Sequence, residues 1–233
     1  MAGSMPAGAK GAFHPTQPVN IDLNCDLGEG EPLELTEALM RHITSANIGS
    51  ENIEACIALA KRYGVHVGAH PRHAVGRGEL RVTPEEFETL LVDQERPFRE
   101  LHHIKLHGAL YHATDTDPAL AEKYVTLVRR QGPGVIIYAR CNGLVEHVAT
   151  DHGVPVWGEA FADRRYRADG TLVPRSEPDA LITDPRAAVV HAKELIDRLK
   201  PRTLCVHSDT PGAVAIAETL RRMVQGSRPS SRE

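Results

Sequence analysis

Three short β-type runs place lysine, histidine and carboxamide or carboxylate side chains at every second position. In HIKLH (103–107), Lys105 and His107 alternate with Ile104 and Leu106; in VHVGAH (65–70), His66, Gly68 and His70 alternate with Val65, Val67 and Ala69; in NIDLN (20–24), Asp22 and Asn24 oppose Ile21 and Leu23. Side chains alternate faces along a strand, so these runs are expected to send polar groups inward and apolar groups toward covering helices. Other runs also end in polar residues: Asp26, Asn47, Arg140 with Asn142, Glu159, and His207 with Asp209. Imidazoles and carboxylates move protons near neutral pH, and a lysine beside them stabilises developing negative charge. Any one of these residues alone reads as a hydrogen-bonded structural residue. The set reads as a ligand site, because each interior polar group left without a partner costs about 1–3 kcal/mol.

Zinc ligation by His70, His107, His207 and Asp26 is chemically feasible. Their spacing does not select it, and no metal is assigned from the sequence. The chain lacks GxxxxGK[ST], a GxGxxG following a strand, GxSxG and HExxH. Gly76-Arg77-Gly78 and Gly132-Pro133-Gly134 read as turns.

Positioning such groups calls for a frame of strands ending on one side. Candidate strands at Asn20–Asn24, Ile43–Asn47, Val65–His70, His103–His107, Val135–Ala139, Val154–Glu159 and Thr203–His207 alternate with helical patterns. That is the sequence form of βα units around a parallel sheet. Four helix starts pair a capping side chain with proline: Thr83-Pro84, Asp117-Pro118, Asp184-Pro185 and Thr210-Pro211. Thr83 with Glu86 forms a capping box. Alternation alone fits both an open sheet and a barrel. Polar chemistry at nearly every strand end favours a barrel with its site at the carboxyl ends.

The chain has 233 residues, 41% hydrophobic and 25% charged, with net charge −4. That suits one α/β domain, expected over residues 19–225 between tails at 1–18 and 226–233. No apolar run is long enough to span a bilayer and no basic patch marks a nucleic-acid binder, so neither membrane nor nucleic acid is an expected partner. Cys25, Cys56, Cys141 and Cys205 form no CxxC, and MAGSMPAGAKGAF lacks the form of a secretion signal. A cytoplasmic protein with reduced thiols is expected.

The runs IDLNCDLGEG (21–30), TSANI (44–48), GAHP (68–71), KLHGALY (105–111), EAFADRRYRADGTLVPR (159–175) and CVHSDTPGA (205–213) together resemble the LamB/YcsF family along nearly the whole domain. The resemblance implies a single TIM-like (β/α)7 barrel related to the glycoside hydrolase and deacetylase superfamily. It also implies an ATP-hydrolysing 5-oxoprolinase activity, opening the lactam of 5-oxo-L-proline to L-glutamate with ATP and Mg2+, alongside B and C subunits; self-association is left open. Under that reading Asp26, Lys105, His107 and Asp209 are the catalytic candidates. Asn24, Glu29, Asn47, His70, Glu159, Asp163, Arg164, Arg175 and His207 are the substrate-binding candidates. Lys105, Arg164 and Arg175 would supply positive charge over phosphate or carboxylate, although Arg164 and Arg175 are also explained as anchors for Asp163 and Asp169.

Three departures from the family stand out, of which the first bears on activity and the other two are mild. The family usually continues TSANI with a segment of the form ACGFHAGDP, whereas Gly49-Ser50 here leads straight into ENIEACIALAKRYG, with Ser50 expected to cap the helix. Loss of that segment's His and Asp implies weakened activity unless His66, His70 or His73 reaches the cavity. Ser208 and Leu106 stand where glycine and proline are usual. The alternatives are a catalytically impaired paralogue that binds the B and C subunits, and a metal-dependent deacetylase-like hydrolase.

Overall fold

Each strand pairs in parallel with the next in sequence, and the first pairs with the last, so the sheet closes into a seven-stranded barrel. The computed structural model describes residues 21–75 and 80–226. The expected tails and the Gly76-Arg77-Gly78 turn lie outside these residues, except Gly226, which closes the last helix instead of opening a tail.

The order is β1 (Asp22–Leu27), α1 (Leu33–Met40), β2 (Ser45–Ile48), α2 (Ile53–Tyr63), β3 (His66–Ala69), α3 (Pro84–Glu95), β4 (His103–Ile104), α4 (Gly108–Thr114), α5 (Pro118–Arg130), β5 (Ile136–Arg140), α6 (Leu144–Asp151), β6 (Val156–Phe161), α7 (Pro185–Leu199), β7 (Thr203–His207) and α8 (Ala213–Gly226). The core lies between strands and helices, where Leu23, Leu27, Ile48, Ile104, Ile137 and Leu204 turn outward onto residues such as Leu39, Leu91, Tyr124 and Leu220.

Three of the four expected helix starts form. Thr83 and Glu86 close a capping box, while Asp117 and Asp184 accept from backbone N–H groups of α5 and α7. The fourth does not: the Thr210 hydroxyl is drawn to Asp163 at 2.6 Å, and α8 begins only at Ala213. Ser50 does not cap α2 either. Asn52 occupies that position in a left-handed conformation (φ 52°), one that asparagine tolerates. Gly49 N–H to Leu27 C=O and Glu51 N–H to Gly28 C=O fasten the short connection to the end of β1.

Strand register sets the barrel interior in levels. Asp26 lies opposite Asn47 on one side and His207 on the other, and Asn47 lies opposite Gly68. At the amino-terminal end, Asp22 accepts hydrogen bonds from Thr44, Ser45, Tyr138 and Thr203, and the His103, Tyr138 and Trp157 rings stack. Gly68 is required here, because a Cβ would sit 2.2 Å from His103 Nε2. This plug closes the lower barrel and leaves the carboxyl ends as the open face.

Candidate active site

Above the plug, side chains from five strands or their extensions meet in one network. Asn24 Nδ2 donates to Thr203 Oγ1 (2.6 Å) and Glu159 Oε1 (2.9 Å). Asn47 Nδ2 donates to Asn24 Oδ1 and Asp26 Oδ1, both at 2.7 Å, while its carbonyl oxygen contacts His103 Nε2. β4 ends at Ile104, but the chain stays extended beyond it: Lys105 N–H bonds to Ala69 C=O and His107 N–H to Pro71 C=O. Lys105 is thereby aimed into the barrel. Its Nζ reaches Asp26 Oδ1 (2.8 Å), Glu159 Oε1 (2.9 Å) and Cys205 Sγ (3.0 Å).

Electrostatics fix the charge states of this floor. Burial opposes charge on Lys105, but Asp26, Cys205 and Glu159 outweigh it and raise its pKa well above the ordinary value. Burial would likewise raise Asp26; Lys105, His70 and His207 overcome that and hold the carboxyl well below the usual carboxylate range. The floor is therefore an ammonium locked among carboxylates.

The cavity above encloses about 630 Å³ and is lined by Asp26, His70, Lys105, His107, Tyr111, Phe161, Arg164, Arg175 and His207, among others. That volume suits a small ligand. His207 Nδ1 contacts Asp163 Oδ1 at 2.9 Å, turning Nε2 toward Asp26 Oδ2 at 3.8 Å. Asp163 is itself buried, which would raise its pKa; His207 and Thr210 more than offset this and lower it. His70 Nε2 lies 3.5 Å from both Asp26 Oδ2 and Glu29 Oε1. Burial disfavours its charged form, yet Asp26 and then Glu29 raise its pKa. Glu29, raised by burial, is placed by the turn after β1: Glu31 accepts from Gly28 N–H and Glu29 N–H, and Gly28 adopts φ 70°.

Most sequence-expected residues thus converge: Asp26, His70, Lys105, His107, Arg164, Arg175 and His207 line the cavity, with Asn24, Asn47, Glu159 and Asp163 supporting them and Glu29 against the two histidines. Asp209 differs. It is exposed and accepts from Arg175 Nη1 at 2.9 and 2.7 Å, because the chain turns outward after His207. Arg164 donates to the Val173 carbonyl, Arg175 pairs with Asp209, and Asp169 accepts from Thr171 within its own turn. His66 stacks on His102 at the opposite end of the barrel, and His73 bonds locally to Val75; only His70 of those three reaches the cavity. The zinc set considered from the sequence is divided between two neighbouring groups, Asp26 and His207 falling with Cys205, and His70 and His107 falling with Glu29. Tyr111 and Cys205 were not singled out by sequence reasoning. Cys205 shares its alternation with Thr203 and His207 and was legible in that way.

A seven-stranded parallel barrel with an acid–base cavity at its carboxyl ends defines a hydrolase-like β/α barrel. The LamB/YcsF family model matches residues 21–231, and this chain belongs to that family. It is 35% identical to the 5-oxoprolinase A-subunit of Limosilactobacillus fermentum, covering 87% of this chain and 94% of that protein. It is 34% identical to the protein of the same name from Heliobacterium modesticaldum, covering 89% and 95%. The crystal structure of a lactam utilization protein from Thermus thermophilus superposes with a TM-score of 0.73 at 29% identity, covering 88% of this chain and 97% of that one.

All four cysteines are free and buried. Among the described residues no helix is long and apolar enough to cross a membrane.

Proposed function

We propose that this chain is the lactam-opening component of an ATP-dependent 5-oxoprolinase, acting with B and C subunits on 5-oxo-L-proline. The observation that carries this reading is Asp26, held ionised by Lys105 on the cavity floor and facing the imidazole of His207. The names of the relatives support the substrate class.

An unstrained lactam resists water, so ATP supplies the activation. Transfer of the γ-phosphoryl group to the lactam oxygen releases ADP and makes the carbon electrophilic. Water adds to that carbon as Asp26 accepts a proton, and the C–N bond breaks as the ring nitrogen takes a proton from His207. A second water then hydrolyses the resulting acyl phosphate, giving glutamate and phosphate. Arg175 and Arg164 face the same cavity and suit the substrate carboxylate.

The cavity's cations are already engaged: Lys105 by Asp26 and Glu159, Arg175 by Asp209, and Arg164 by the Val173 carbonyl. With its cations shared in this way, such a site suits the single carboxylate of the small lactam better than the polyanionic chain of a nucleoside triphosphate, and we assign ATP with Mg2+ to the assembled enzyme. One observation favours the second reading of an impaired paralogue, namely the short 49–52 connection fastened to β1, which carries no histidine or aspartate.

ATP-dependent glutamate release by the chain mixed with B and C subunits tests the proposal. Release that Asp26→Asn abolishes supports it, whereas release unchanged in Asp26→Asn would place the chemistry elsewhere.

A further inference from the structure

One wall of the cavity gathers groups that the ring-opening steps do not use. Glu29 Oε1 lies 3.5 Å from His70 Nε2 and 3.2 Å from His107 Nε2, and one ligand atom from each residue falls within 4.8 Å of the others. Tetrahedral zinc, with bonds of about 2.0–2.2 Å to nitrogen and oxygen, holds its donors about 3.3–3.5 Å apart. Both measured separations are close to that edge length.

His70 adds an independent observation. It is 2% exposed, and its Nδ1 lies 2.7 Å from the Lys105 carbonyl. A carbonyl only accepts, so Nδ1 carries the proton and Nε2 is directed into the cavity, where it makes no hydrogen bond; nor does Glu29 Oε1. A histidine whose second nitrogen donates to a backbone carbonyl is oriented as metal-ligating histidines are.

We propose that Glu29, His70 and His107 form a three-ligand site for a divalent cation of the zinc type, with its fourth position open to the cavity. Two imidazoles and one carboxylate suit zinc, whereas Mg2+ prefers an all-oxygen octahedron. The ion would lie beside Asp26 and could polarise a carbonyl entering the cavity. This proposal goes beyond the ring-opening reading and is tested without it, on the isolated full-length chain.

Chelator-stripped protein is titrated calorimetrically with Zn2+ and, separately, with Mg2+. The expected result is one Zn2+ per chain and no comparable uptake of Mg2+. Glu29→Gln and His107→Ala should each weaken Zn2+ binding at least about 10–100-fold, on the scale that even outer-shell changes produce. His207→Ala should keep the affinity. Thermal unfolding of each metal-free variant separates lost ligation from lost fold. The visible spectrum of the unaltered chain with Co2+ should show the intense bands of tetrahedral coordination and needs no variant. No stoichiometric Zn2+ uptake, an octahedral Co2+ spectrum, or affinity that survives Glu29→Gln and His107→Ala would overturn the site. Affinity lost in His207→Ala would also overturn it, placing the ion instead in the neighbouring group of Asp26, Cys205 and His207.

Discussion

The Lys105 ammonium lies 2.8 Å from Asp26 Oδ1, and neither side chain is more than 6% exposed. Strand position alone assigned Lys105 a charge-stabilising role rather than a packing one; the structure also makes it part of a buried ion-pair network. Removing one member of a buried ion pair strands the other charge and costs about 3–5 kcal/mol. Lys105→Ala should therefore lower the unfolding free energy by that amount and also abolish turnover. Urea denaturation checks it, and a loss below about 1 kcal/mol would show that the carboxylates find other partners.

In the proposed mechanism Asp163 would act through His207, whose Nδ1 it contacts at 2.9 Å. With Asp163→Asn the imidazole loses its charged partner, and kcat should fall about 10²-fold while KM stays near its original value. A rise in KM at constant kcat, in steady-state assays with the partner subunits, would instead make His207 a binding group.

Glu95 titrates away from the site. Burial at the end of α3 pushes its carboxyl up to about 7, with Gln131 donating to one oxygen at 2.5 Å and no hydrogen bond to the other. The folded state thus holds this proton more tightly than the unfolded state does. The stability it contributes is complete below pH about 4.5 and is lost as pH rises through about 7. Relative to the parent, Glu95→Gln should flatten the pH dependence of unfolding across that window and be more stable at about pH 8 by up to roughly 3 kcal/mol. Identical slopes in the two proteins would refute this.

Gly68→Ala would drive a methyl group into the His103 ring. Overpacking of this kind costs about 1–3 kcal/mol or more. Thermal unfolding should show the loss, and an unchanged midpoint would mean that the plug at the amino-terminal end yields freely.

Period-two alternation made the inward faces of β1 and β3, and of the extended run through β4, legible, and with them Asp22, Asn24, His70, Lys105 and His107. It failed where position depends on a turn or on contacts distant in sequence. Glu29 is set by the Glu31 carboxylate gripping the turn after β1. Asp163 meets His207 and Thr210 because β6 and β7 are neighbouring strands. Asp209, a catalytic candidate, lies exposed against Arg175, and adjacency to His207 in sequence does not reveal which way the chain turns. Ser50 was misassigned because backbone pairing with β1, rather than a side-chain cap, forms the entry to α2.

Whether this barrel opens the lactam is decided by measuring glutamate and ADP side by side, from 5-oxoproline and ATP, with B and C subunits in the presence and absence of this chain. Glutamate and ADP are expected in equal amounts, and only when the chain is present. ATP hydrolysis without glutamate, or the same glutamate release with the chain omitted, would contradict the lactam-opening role.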